Sequence, residues 1–383
     1  MTAEAAPPRD LGWVDRKKYL WILGLAVPAA PFASYFLVEA TGWGVLWLLG
    51  PFLLMGLSPI LDTVFGKDER NPPEAVMAWL EKQPYYRWCV RAYLPLQYGG
   101  LVLACWTWSR DDVAGYEKAL LVLATGAVGG IAINAAHELG HKSEALERWL
   151  SKIALAQTAY GHFFVEHNRG HHVRVATPED PASARLGESF YRFLPRTVVG
   201  SVRSAWRLEA RRLTRRGKGT WTFRNEVLNA WAMTVVLYAV LAGVFGAGIL
   251  PYLAVQAVIG FAALEVVNYV EHYGLLREQS PSGRYERVQP RHSWNSDSLA
   301  SNILLFHLQR HSDHHAHPAR PYQVLRHFDE APELPAGYAS MTRLAYIPPL
   351  WRRVMDHRVI AHYGGDSSRA NLDPATRHRY LPA

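Results

Sequence analysis

Cysteine is nearly absent. Cys89 and Cys105 are the two in 383 residues. That excludes a disulfide scaffold and weakly favours a reducing compartment. No period of three or seven residues is sustained, which excludes collagen and coiled coil. Histidine is missing from the first 136 residues, although the chain carries 17. Charge is missing from several long stretches. The mean hydropathy of −0.08 suggests a water-soluble protein, but that average hides how unevenly charge is placed. Disorder is excluded too, since 49% hydrophobic and 12% aromatic residues suffice to bury a core.

The charge-free runs come first. Residues 19–38 read YLWILGLAVPAAPFASYFLV, and residues 42–61 read GWGVLWLLGPFLLMGLSPIL. Residues 92–109 and 119–136 are also free of charge, and 227–264 holds two further apolar runs separated by FGAGILP. Each run is close to the ~20 residues that cross a ~30 Å hydrocarbon core. Core helices of a soluble protein rarely stay uncharged for so long. The expectation is an all-α fold, a six-helix transmembrane bundle with a cytoplasmic helical cap. Its segments are a cytoplasmic stretch 1–18, transmembrane helices 1–4 in 19–136, a cytoplasmic segment 137–227, helices 5–6 in 228–272 and a cytoplasmic segment 273–383.

Orientation follows from the basic residues. All but Arg110 and Lys118 of the 41 Lys and Arg fall before the first run, between the second and third, between the fourth and fifth, or after the sixth. Those segments are expected on the cytoplasmic side, with both termini. Tyr19, Trp21, Trp43, Trp47, Trp106 and Trp108 sit near run ends, where an interfacial aromatic belt belongs. Lys17 and Lys18 precede the first run, but no small-residue cleavage site follows a short apolar core, so it reads as a retained anchor.

The histidines cluster on that side. NAAHELGHK gives His137 and His141; HFFVEHNRGHH gives His162, His167, His171 and His172; NYVEHYG gives His272; HLQRHSDHH gives His307, His311, His314 and His315. Positions i and i+3 or i+4 share a helix face. His137 with His141, His167 with His171, and His311 with His314 or His315 each meet that condition. Neighbouring residues diverge by ~100°, so His171/His172 and His314/His315 suit two metal ions side by side. Nine nitrogens also exceed one coordination shell. Imidazole suits several transition metals. With no thiolate near the clusters, redox-active iron fits better than structural zinc.

HELGH matches the H-E-x-x-H zinc-protease pattern, but that reading strands the other clusters. His162, His292, His307, His317, His327, His357, His362 and His378 are expected to be supporting or surface residues. A non-enzymatic metal-binding or transport protein is the other class to be excluded.

HxxxH, HxxxHH and HxxHH beside membrane helices resemble the histidine boxes of membrane desaturases and hydroxylases. Within that superfamily, NYVEHYGLLR, LQRHSDHHAHP, NAAHELGHK and GHFFVEHNRGHHVRVATPEDPASARLGES look like the bacterial alkane 1-monooxygenases, over most of the chain. The resemblance implies oxygen insertion from O2 into the terminal methyl of a medium-chain n-alkane in the bacterial inner (plasma) membrane. It implies a non-haem di-iron site, two Fe ions on His137, His141, His167, His171, His172, His272, His311, His314 and His315. It implies electrons from rubredoxin, itself reduced by an NADH-rubredoxin reductase. A fused rubredoxin needs two CxxC pairs, so the donor is expected outside these 383 residues. A related desaturase, or a hydroxylase of aromatic methyl groups, is the alternative; the NYVEHYG segment argues against the desaturase.

An unactivated terminal C–H bond offers nothing to acid–base or nucleophilic catalysis, so a redox metal and two electrons are needed and the protein positions and excludes. Glu138, Glu166, Glu271 and Asp313 adjoin histidines and are candidate acceptors for free ring N–H groups. Glu265, two turns before His272 with Asn268 between, is an intramembrane carboxylate and a functional candidate. Gly126, Gly129, Gly130 and Ile133 lead along one face to His137, as a substrate groove or as a helix-packing stripe. Met55 is a second candidate wall residue, and the resemblance favours it as a limit on chain length. Arg192, Arg196, Arg203, Arg207, Arg211, Arg212, Arg215 and Arg216 alternate with Phe190, Tyr191, Phe193, Leu194 and Trp206. That stretch reads as a helix on the inner leaflet, held by membrane lipid or docking an acidic rubredoxin. Nucleic acid is not an expected partner for a patch against a membrane.

Overall fold

The computed structural model describes residues 12–381. Among these the chain is helical, and its few β-contacts are isolated bridges. The long helices are α1 (Lys18–Thr41), α2 (Gly44–Phe65), α3 (Tyr93–Ser109), α4 (Gly115–Gly140), α5 (Ala145–Ala156), α6 (Phe190–Thr214), α7 (Glu226–Phe245) and α8 (Ala247–His272). α1, α2, α4, α7 and α8 are long and apolar enough to cross a membrane. The remaining expected crossing is α3, whose 17 residues span ~26 Å.

Local chemistry sets the breaks. Gly42 (φ 70°) ends α1 and Gly66 (φ 68°) ends α2 in conformations that a side chain resists. Asn225 opens α7 by accepting from the Val227 and Leu228 amides. α4 is the enclosed central helix. α7 leaves Val235, Val236, Val240 and Val244 facing outward, an apolar surface suited to lipid rather than water.

The two ends of the bundle differ. At one, Trp108 donates to Gly248 O at 3.2 Å and Arg110 pairs with Glu39 at 2.7 Å, tying the α3–α4 and α7–α8 turns to α1. At the other end α4 and α8 finish on histidines. α4 runs to Gly140, so His137 rides on the helix itself rather than after it. The C-terminal part packs over this end through α9 (His311–Ala316), α10 (Tyr338–Ala345) and α11 (Pro348–His362). Arg310, 1% exposed, fastens α9 by donating to Asp68 O at 2.6 Å, Leu325 O at 2.8 Å and Asp297 at 3.2 Å.

Candidate metal centre

The expected histidines arrive on four supports. α4 carries His137, with His141 at its C-cap; α8 ends on His272; α9 carries His311, His314 and His315. His167–His171 is a π-helix between Phe163–Glu166 and His172–Arg174. All nine rings converge in two groups. One holds His137, His141, His167, His172 and His314; the other holds His171, His272, His311 and His315. Both adjacent pairs divide between the groups, as their angular offset requires. One pairing differs from the expected spacing. His167 joins His172 rather than His171, because the π-turn shifts the repeat from i+4 to i+5.

The Nε2 atoms face one another. In the first group His137–His314 is 2.9 Å, His141–His167 3.0 Å, His167–His172 2.9 Å and His172–His314 3.1 Å. In the second, His171–His315 and His272–His311 are 3.2 Å and His311–His315 is 2.8 Å. Burial, reinforced by neighbouring histidines, holds His141, His167, His172, His311, His314 and His315 well below the usual imidazole range. Each group brings four or five ring nitrogens together at one point, an arrangement that can hold a metal ion. Ligand atoms ~2.1 Å from one ion stand about 3.0 Å apart at a right angle and about 3.4 Å at a tetrahedral angle. Nitrogen spacings of 2.8–3.2 Å are those of ligand atoms that share one ion.

Three of the four expected acceptors point elsewhere, since a residue adjacent to a histidine on a helix faces ~100° away. Glu138 holds Lys142 at 2.6 Å and is not free to act as the base of a zinc protease. Glu166 holds Arg174 at 2.6 Å. Asp313 accepts from Arg320 at 2.6 Å and the Arg326 amide at 2.8 Å, and its other partner is His317. Glu271 does reach a histidine of the site, but at the inward Nε2 of His311, 3.2 Å away. The carboxylate on a free ring nitrogen is Asp180, 2.9 Å from His171 Nδ1 and fixed by Ser183 at 2.6 Å. Burial pushes the Asp180 carboxyl up, while its contacts with His171 and Ser183 bring it down to about 2. Sequence adjacency missed it; the signal was a carboxylate in the turn TPEDPAS after the box. Glu265 accepts from Tyr160 at 2.7 Å, Thr197 at 2.9 Å and Asn268 at 3.2 Å, joining α8 to α6. The eight remaining histidines stand outside both groups.

The glycine stripe is not a groove. A Cβ on Gly126 would lie 2.6 Å from Ile259, and one on Gly130 2.7 Å from Ala263 and 2.8 Å from Gly260 O. Gly129 faces Thr158 and Gln157, and Ile133 is fully buried in the core. α8 fills this face, as small-residue stripes allow in membranes. An apolar cleft of about 50 Å³ lies instead beside the next face of α4, lined by Met55, Leu54, Ala127, Ile131, Val267 and Tyr338 among others. Ile131 stands six residues before His137 and Val267 five before His272, ~9 Å and ~8 Å of helix.

α6 presents Arg203, Arg207 and Arg211 on one exposed stripe. Arg192, though exposed, pairs with Asp373 at 2.8 Å. Arg196 is spent inside the fold, on Glu188 at 2.8 Å and the Pro181 and Ser183 carbonyls at 3.1 Å.

The fatty acid desaturase family matches residues 117–345. An alkane 1-monooxygenase of Ectopseudomonas oleovorans is 48% identical over 96% of this chain and 92% of its own, and one of Acinetobacter baylyi is 47% identical over 97% and 92%. The chain belongs to the alkane 1-monooxygenase family. It is thereby an oxidoreductase. The xylene/toluene monooxygenase hydroxylase component of Pseudomonas putida is a more distant relative, 27% identical over 56% of this chain. The span shared with the desaturases contains all nine histidines and runs to the end of α10.

In this alkane 1-monooxygenase homologue the π-helix is braced from outside. Arg169, between His167 and His171, reaches Glu209 of α6 and Glu226 at the start of α7. Glu209 is fully buried and also accepts from Arg212 at 2.7 Å and the Glu226 amide at 2.8 Å. Glu209→Gln is expected to cost about 2 kcal/mol through weakened charge-assisted bonds and to loosen His167 and His172. Thermal unfolding together with metal content per chain checks this; unchanged values for both refute the bracing role.

Proposed function

We propose that this protein hydroxylates the terminal methyl group of medium-chain n-alkanes to 1-alkanols, with O2 and electrons from rubredoxin, itself reduced by an NADH-rubredoxin reductase. The observation that carries the reading is the convergence of nine histidines into adjacent groups of five and four at one end of a membrane bundle. The relatives named alkane 1-monooxygenase support the substrate class. Two Fe ions, one held by each group of histidines, would supply the redox activation of O2 that an inert C–H bond requires. The chain's own residues do the rest. The nine imidazoles would hold the metal, and Asp180 orients the His171 ring through its Nδ1. The apolar cleft past Met55 receives the chain end-on and excludes water, so that a terminal carbon is what reaches the histidines. The protein lies in the inner (plasma) membrane as a multi-pass protein, with both termini and the metal centre cytoplasmic; the basic residues gathered at the metal-bearing end support this.

The deciding experiment is product analysis with purified protein, rubredoxin, reductase, NADH and a series of n-alkanes. Terminal alcohols are expected. Unsaturated acyl products, or oxidation of aromatic methyl groups alone, would overturn the reading.

Electron delivery is expected to depend on charge. Arg203, Arg207 and Arg211 form an exposed cationic stripe on α6, and a net charge of +8 steers an acidic donor. The Debye length falls from ~10 Å at 0.1 M salt to ~3 Å at 1 M. Reduction by rubredoxin should slow as salt rises, and slow further in an Arg203→Glu, Arg207→Glu variant. Stopped-flow rates independent of salt in both proteins refute donor docking on this stripe.

A further inference from the structure

Beyond the stripe of α6, the chain turns into α7 through a loop with an unusual surface. Trp221 is 81% exposed and Phe223 88%, more than large aromatic side chains normally show to water. The Trp221 ring lies 5.0 Å from that of Trp206 on α6, and Trp206 stacks at 6.4 Å on Trp231 of α7. Trp231 is five residues into α7, ~7.5 Å along a membrane-length helix. This ladder of rings sets Trp221 near the level of the first turns of a span, where the hydrocarbon boundary falls.

The charge around the loop has one sign. Arg215, Arg216, Lys218 and Arg224 flank the two aromatic residues. The nearby carboxylates are already engaged: Glu209 by Arg169 and Arg212, and Glu226 by Arg148 and Arg169. Four cations are thus left for a partner outside the chain, beside two apolar rings. Trp and Phe enter the headgroup–acyl boundary, and Lys and Arg attract anionic headgroups there.

We propose that loop 215–224 is a lipid-binding anchor. Trp221 and Phe223 insert at the acyl boundary of the leaflet on the metal side, and Arg215, Arg216, Lys218 and Arg224 bind anionic phospholipid headgroups. The partner is the anionic membrane surface rather than the electron donor, whose cationic stripe lies further back on α6. The anchor also has a structural consequence. α6 is bonded through Glu209 to Arg169 of the π-helix, so lipid seating steadies the element that carries His167, His171 and His172.

The test uses the full chain in nanodiscs. Cys89 and Cys105 are buried, so Phe223→Cys accepts an environment-sensitive fluorophore at one exposed position. In discs of phosphatidylcholine with phosphatidylglycerol, acyl-brominated lipid should quench the label and aqueous iodide should not. Removing phosphatidylglycerol, or replacing Arg215, Arg216 and Lys218 by Gln, should reduce lipid quenching and admit iodide. Inorganic phosphate should not reproduce the effect of anionic lipid. Quenching by iodide and not by brominated lipid, in every composition, would overturn the anchor. So would a label insensitive to lipid composition but shielded on adding rubredoxin, because the loop would then be a protein dock. If the Cys variant lowers yield, the same measurement at Trp221→Cys applies the same two outcomes.

Discussion

Replacing His315 by Ala should abolish hydroxylation and leave one iron per chain where the unsubstituted protein holds two. His315 belongs to the smaller group, and its Nε2 lies 2.8 Å from His311 and 3.2 Å from His171. Its loss leaves three imidazoles around that point. The group of five does not contain it and keeps all its nitrogens. Loss of residues that merely orient ligands lowers metal affinity by 10–100-fold, so loss of a ligand from the smaller group should exceed ~100-fold in turnover. His141→Ala offers the contrast. It removes one of five, at the partly exposed rim of the other group, and should weaken that iron while leaving the second in place. Iron analysis with 57Fe Mössbauer spectra of both variants separates the two sites. One iron per chain in fully active protein would refute the pair. A His315→Ala protein with two irons and near-normal turnover would remove His315 from the site.

Much of this was legible because two patterns are written locally. A charge-free run of ~20 residues needs no partner to be recognised, so the membrane helices stood out. α3 alone falls slightly short, where Arg91 and Arg110 bound its apolar stretch. The division of His171 from His172 and of His314 from His315 followed from helix geometry. The regrouping of His167 with His172 did not, because it turns on a π-helix whose Arg169 and neighbouring Arg174 are held by Glu209, Glu226 and Glu166, residues up to 57 positions away. Asp180 was hidden for a related reason. Adjacency favours Glu166 and Glu138, yet a side chain next to a ligand faces away from it, and the useful carboxylate returns through a turn. The basic stretch of α6 showed its composition but not its pairings, so Arg196 looked free although Glu188 engages it.

The glycines of α4 raise the same question of what stands opposite, and they set the second expectation. Gly130→Leu should lower yield and iron content and depress activity on every alkane alike, with no shift in preferred length. Even a Cβ at Gly130 would press on Ala263 and on the backbone oxygen of Gly260, and neither yields as a flexible side chain would. Overpacking of this kind costs typically 1–3 kcal/mol and moves backbone, here that of the two helices bearing His137 and His272. Met55→Ala should act in the opposite way. Met55 lines the apolar cleft, with its sulfur 3.8 Å from the Thr342 hydroxyl. Truncation lengthens the space open to a chain whose terminal carbon is held at the metal. Each further methylene buried there contributes ~0.8 kcal/mol, about a fourfold gain in kcat/KM, until the next wall is met. Preference should therefore move to longer chains by a few carbons, with iron content unchanged. Hydroxylation of hexane through hexadecane by both variants decides the matter. A length-selective loss in a folded, iron-replete Gly130→Leu protein would return the groove to the glycine face. An unchanged profile in Met55→Ala would remove the cleft beside α2 from the path of the substrate, because a steric stop must discriminate by length.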